Sequence, residues 1–85
     1  MNNLITLDLL PINTSGKIKK ILSSGITRRR MLDLGLIPKT IVKPLMRSPS
    51  KDPTAYEIRG TVVAIRSEEA KKIIVERLYT IIGDI

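Results

Sequence analysis

Eighty-five residues suffice for one small domain, because a chain of this size buries only about 60 to 65% of the surface it exposes when unfolded, too little for a second core. Cys, His, Phe and Trp are all absent, so the core must be aliphatic and unstapled, and both thiolate or imidazole metal sites and nucleophilic catalysis assisted by His or Cys are disfavoured. The net charge of +7 is uneven: Met1 to Lys51 carries ten Lys and Arg against Asp8 and Asp33, a balance of +8, whereas Asp52 to Ile85 carries five against six acids, which points to an acidic partner for the first part.

The opening "MNNLITLDLLP" has no basic residues ahead of its apolar ones and no small-residue cleavage site behind them, so it does not read as a signal peptide. No apolar run approaches the roughly 18 residues of a membrane span. A cytoplasmic protein without membrane insertion is expected. "LITLDLL" reads either as a strand or as one helical turn. The turn formers of "PINTSG" follow, and "KIKKIL" alternates imperfectly, predicting a short strand over Lys17 to Leu22 that "SSG" ends.

From Ile26 to Leu34 neither Gly nor Pro interrupts the chain, and Thr27 is placed to cap a helix bearing Met31, Leu32 and Leu34. Gly35 then falls where a helix-ending left-handed residue is expected. Successive helical residues turn by about 100°, so Arg28, Arg29 and Arg30 fan over roughly 200° and cannot all face one ligand. "TIVKPLMRS", Thr40 to Ser48, has strand composition, with Pro44 confining it to an edge or a bulge. "SPSKDPT" is a Pro-punctuated loop. "AYEIR" and "TVVAIR", separated by Gly60, predict a hairpin or a sharply bent strand, with Val63 and Ile65 on one face and Val62 and Ala64 on the other. The last part, "SEEAKKIIVERLYTII", fits one amphipathic helix by spacing, or a helical turn followed by a strand.

Strand, helix, strand, loop, two strands and a closing element is the order of a small five-stranded SH3-like barrel, mainly β, with a helix inserted in the first long loop. "RRRMLDLGLIPKT", then "SPSKDP", then "YEIRGTVVAIRSEEAKKIIVE" also resembles the FeoA family of ferrous iron transport accessory proteins. The likeness runs over about Lys17 to Glu76. It places Arg30 and Met31 at the family's Arg-Leu, and Leu34, Gly35 and Leu36 at its Leu-Gly-Leu. Pro38 stands at its Pro, Asp52 and Pro53 at its Asp-Pro loop, and Gly60, Ile65 and Arg66 at its strand pair. Lys39 stands where the family usually has Gly, so either the turn there has a different geometry or Lys39 bears the roughly 1 to 2 kcal/mol cost of a non-Gly residue held left-handed. The resemblance further implies a turn over Glu68 to Ala70 and a closing strand over Ile73 to Val75, leaving 77–85 as a short helical or irregular extension of a single 1–85 domain.

What the family likeness implies is a non-enzymatic adaptor without a cofactor or metal. It would bind the cytoplasmic side of the membrane iron transporter FeoB and support or regulate ferrous iron uptake. Its expected contact residues are Arg28, Arg29, Arg30, Leu36, Ile37, Pro38 and Lys39, with exposed parts of Leu36 and Ile37 as the apolar anchor; Leu34, Gly35, Asp52, Pro53, Gly60 and Arg66 are expected to shape the fold. Two other readings stand beside it. A nucleic-acid-binding barrel fits the basic half but lacks stacking rings, since Tyr56 and Tyr79 are the only aromatics. A stand-alone relative of the SH3-like domain of iron-dependent repressors would share the fold and act through protein contacts alone.

Overall fold

A computed structural model describes residues 3–78. The described chain forms β1 (Leu4–Thr6), a 3-10 turn (Leu7–Leu9), β2 (Gly16–Ile21), α1 (Gly25–Asp33), β3 (Ile41–Arg47), β4 (Thr54–Ile58), β5 (Thr61–Ile65), α2 (Ser67–Ala70) and β6 (Ile73–Arg77). Both readings of "LITLDLL" are therefore realised in succession. The six strands make one antiparallel sheet in the order β1-β6-β2-β3-β4-β5. The expectation was a five-stranded barrel. A sixth strand near the start of the chain extends the sheet beyond β6, and β1 and β5 stand at opposite edges without pairing, so the SH3-like sheet is not closed into a barrel.

The imperfect alternation of "KIKKI" has a structural cause. The pairing of β2 with β6 shifts register between Ile18 and Lys20, so Lys19 is an extra residue in the ladder. Strict alternation would turn Ile21 outward; the bulge turns it back, and Ile18 and Ile21 are both buried while Lys19 and Lys20 face solvent. Pro44 is accommodated the same way. The β2–β3 pairing stops at Val42, and the β3–β4 register shifts between Pro44 and Met46, so no ladder bond needs the missing N–H. The Pro44 carbonyl instead accepts the Asn13 N–H at 2.7 Å.

The hairpin around Gly60 is tight, with Arg59 and Gly60 both at positive φ (54° and 82°), the two-residue turn whose twist matches that of the strands. At the end of the chain the strand alternative prevails: Ile73 and Val75 are fully buried and β6 lies between β1 and β2. Arg77 belongs to β6 and not to an extension; the remainder of that expected extension, beyond residue 78, lies outside the described residues. The core joins the inner residues of β2, β4 and β6 to Leu7, Leu10, Met31 and Leu36.

Helix α1 begins three residues before the cap position the sequence suggests. Ser24 and not Thr27 stands at its N-cap, without a side-chain capping bond. Its other end has the arrangement expected of "LGL". Gly35 takes φ 102°; its N–H bonds to the Leu32 carbonyl at 3.0 Å, and the Leu36 N–H reaches back to the Met31 carbonyl at 3.1 Å. These are the two bonds of a Schellman stop, and the Met31 and Leu36 side chains that accompany it are both fully buried.

Candidate functional site

The segment following α1 is built as a second tight turn. The Thr40 N–H bonds to the Ile37 carbonyl at 3.1 Å, with Pro38 second in the turn and Lys39 third, at φ 77°. A turn with Pro second and a left-handed third residue is type II, which ordinarily takes Gly at the third place. Of the two alternatives left open by its place in the family pattern, the positive φ selects backbone strain at Lys39. The Lys39 N–H donates to the Ile18 carbonyl at 2.7 Å and the Ile18 N–H to the Thr40 carbonyl at 2.8 Å, which stitches the turn to β2.

Of the expected contact residues, Ile37, Pro38 and Lys39 are exposed and line one groove with Thr40, Ile41 and Arg59. Leu36 does not share it: this side chain is fully buried beneath the corner, so of the two residues expected as an apolar anchor only Ile37 is exposed, with Ile41 exposed beside it. Arg59, which the sequence reading passed over, is brought to the groove by the β4–β5 turn. Its only signal in the sequence is its place before Gly60.

The three arginines part company, as their helical spacing requires. Arg28 donates from Nη1 to the Ile21 carbonyl at 3.3 Å and so ties α1 to the end of β2. Arg30 forms an ion pair with Glu69 of α2. Arg29 is exposed, has no ion pair among the described residues, and lines a shallow cleft with Gly25, Arg28, Leu32 and Asp33. The cleft of Arg28 and Arg29 and the groove of Ile37 to Lys39 share no lining residue.

Asp52 and Pro53 have a structural task. The Asp52 carboxylate accepts the Ser67 N–H at 2.8 Å and the Ser67 hydroxyl at 3.3 Å, acting as the cap that Arg66 does not supply to α2. The Asp52 N–H donates to the Ser48 hydroxyl at 3.0 Å, and the Ser48 N–H to the Pro53 carbonyl at 3.2 Å, which closes the loop on itself. Arg66 is exposed at the end of β5.

Among the described residues no three acidic, His or Cys side chains are grouped to hold a metal ion, and no helix is long and apolar enough to cross a membrane. The aromatic ring within the described residues, Tyr56, is buried at 3% exposure. Burial pushes its phenol above the ordinary value, against the opposing pull of a Thr54 side-chain hydrogen bond and the Arg47 charge. No ring there presents a face on which a base can stack.

Comparison with known proteins agrees with this geometry. The FeoA-like protein of Clostridium acetobutylicum is 31% identical, with a TM-score of 0.84 over 94% of this chain and 93% of that one. The FeoA of Stenotrophomonas maltophilia, a prokaryotic SH3 domain protein solved with zinc, is 27% identical, with a TM-score of 0.75 over 84% of this chain and 88% of that one. The iron(II) transport protein A of Clostridium thermocellum shares the fold at a TM-score of 0.84 and 24% identity over 87% of this chain, which spans 46% of that protein. No curated protein sequence matches. Residues 5–77 fit the model of the FeoA domain, and with the Leu-Gly-Leu helix stop, the Asp-Pro cap and the SH3-like sheet all in place, the chain belongs to the FeoA family.

Proposed function

We propose that the protein is an accessory adaptor of ferrous iron uptake that binds the cytoplasmic side of the transporter FeoB and supports or regulates it. The observation that carries this reading is the presence, on a FeoA domain, of an exposed cationic helix face at Arg28 and Arg29 and of a groove that exposes Ile37 and Ile41 between Lys39 and Arg59. Charge of this kind speeds encounter with an acidic protein face, and a desolvated aliphatic side chain supplies holding energy. Phosphate attraction alone gives weak binding that falls steeply with salt, and the burial of Tyr56 removes its ring as a platform for single-stranded nucleic acid.

The test is one titration at about physiological salt against the transporter's cytoplasmic domain, single-stranded oligonucleotides and Fe(II). Saturable binding to the domain, with oligonucleotide binding that fades as salt rises and no stoichiometric metal uptake, is the expected result. Sequence-selective oligonucleotide binding without any to the transporter domain would replace this reading with the nucleic-acid one.

A further inference from the structure

The sheet has two edges of unlike character. One is β1, three residues long. The other is β5, which among the described residues pairs only with β4, in a continuous register of five residue pairs from Thr54↔Ile65 to Ile58↔Thr61. Among the described residues no backbone bond from a loop or turn reaches residues 61–65. Edge strands in folded proteins are commonly blunted by Lys, Pro, a bulge or shortness. The sequence "TVVAI" has none of these, and its open length is about 17 Å. Its charges sit at the two ends, Arg59 in the preceding turn and Arg66 immediately after, both exposed.

The solvent face beside this edge carries an apolar row next to one ion pair. Met46, Ala55 and Ala64 follow one another across β3, β4 and β5, and Met46 and Val62 are 64% and 60% exposed. The acid of that face, Glu57, stands opposite Val62 and is paired with Lys43 at 3.9 Å. Arg59 also lines the groove of Ile37 to Ile41, so that groove opens at one end of the β5 edge.

We propose that β5 is a strand-addition site for an extended acidic peptide segment of a partner protein. Backbone hydrogen bonds supply the affinity, alternate aliphatic side chains of the peptide continue the row of Met46, Ala55 and Ala64, and carboxylates at its ends meet Arg59 and Arg66. A second copy of this chain fits the edge less well. Antiparallel pairing of two β5 strands about Val63 sets Arg66 opposite Gly60 of the other copy and next to that copy's Arg59, bringing guanidinium groups together at both ends. The flanking arginines thus guard the edge against its own kind while leaving it open to acids. The identity of the partner, transporter or otherwise, does not enter this inference.

The probe is a synthetic capped peptide with two acids at each end and five alternating Val and Thr between them, added to the whole chain. Expected are saturable binding, slowed hydrogen exchange at alternate amides of residues 61–65, and a loss of affinity of about tenfold or more in Arg66→Glu and again in Arg59→Glu. The same peptide N-methylated at alternate residues should not bind, and one with Lys in place of its acids should bind at least tenfold more weakly. In sedimentation, Arg59→Glu alone should favour pairing of two copies, because opposite charges then meet at each end. Equal binding of the N-methylated peptide, protection of β1 amides in place of β5, no binding at all, or a native chain already paired through β5 would each overturn the proposal.

Discussion

Asp52 caps Ser67 from fifteen residues away, its carboxylate accepting both the backbone N–H and the hydroxyl of that residue. This bond joins the loop after β3 to the first turn of α2, and it is the physical content of the Asp-Pro element in the sequence. A charged acceptor on a backbone N–H at a helix start contributes about 0.5 to 2 kcal/mol. Asp52→Ala should therefore lower stability by about 1 to 2 kcal/mol, read as a lower urea midpoint at unchanged slope. Ser67→Ala, which keeps the N–H, should cost less than half as much. Equal losses would show that the hydroxyl and not the backbone group carries the bond.

Gly35 and Lys39 hold positive φ angles four residues apart and should respond oppositely to exchange. At Gly35, φ is 102° and an added Cβ would stand 3.3 Å from Cγ2 of Ile58. Gly35→Ala should cost about 2 kcal/mol, and Gly35→Val more. At Lys39 the strain of roughly 1 to 2 kcal/mol is already present. Lys39→Gly relieves it, less the roughly 0.5 to 1 kcal/mol of chain entropy that glycine adds, so the melting temperature should rise by a few degrees. A fall would mean that contacts of the Lys39 side chain outweigh the backbone strain.

Tyr56 makes stability depend on pH in the alkaline range. Its phenol is raised chiefly by burial, so the unfolded chain loses that proton near pH 10 while the folded chain holds it to higher pH. Between those values the unfolded state binds fewer protons, and stability falls as pH rises. The contribution is whole below about pH 10 and lost through the folded value. Tyr56→Phe has no such proton. The difference in urea midpoint between variant and parent should be constant from about pH 7 to 9 and move in favour of the variant above about pH 10, with the lysines cancelling because both chains carry them. A difference that stays flat through that range would show that the phenol ionises as readily in the folded protein.

The elements written in local chemistry were legible in the sequence. Gly35 between Leu34 and Leu36 marks a helix stop by conformation alone, and Gly60 between two strand-forming runs marks a hairpin or a sharp bend, of which the structure takes the hairpin. What was not legible depends on partners distant in the chain. Ile73, Ile74 and Leu78 satisfy a helical period as well as Ile73 and Val75 satisfy a strand, and only pairing with β1 and β2 decides between them. Leu36 and Ile37 are adjacent aliphatics of equal size, yet one is fully buried and the other 36% exposed, a difference set by the turn at Pro38 and not by composition. The bulge at Lys19 and the reach of Arg59 into the groove likewise follow from strand register, which a single sequence does not display.

The three arginines should separate by phenotype as they separate in space. Arg29 faces solvent without an ion pair among the described residues, so Arg29→Glu should leave stability within about 0.5 kcal/mol while slowing association with the transporter's cytoplasmic domain about three- to tenfold at low salt. Raising the salt to about 0.5 M should erase most of that difference, because the steering charge is then screened within a few ångströms. Arg30 is different. Its partner Glu69 has a side chain only 15% exposed, and Arg30→Glu would set two carboxylates against each other between α1 and α2. That variant should lose stability by about 1 to 2 kcal/mol, and Arg30→Gln should lose less. Arg28→Ala, which forfeits one hydrogen bond to the Ile21 carbonyl, should fall between Arg29 and Arg30 in stability. Measured on the same preparations, thermal midpoints sort the arginines whose contacts hold α1 in place from Arg29, which has no ion pair among the described residues. If Arg29→Glu binds as fast as the parent at low salt while Ile37→Ala weakens binding, the helix face lies outside the contact and the groove at Pro38 carries the docking alone.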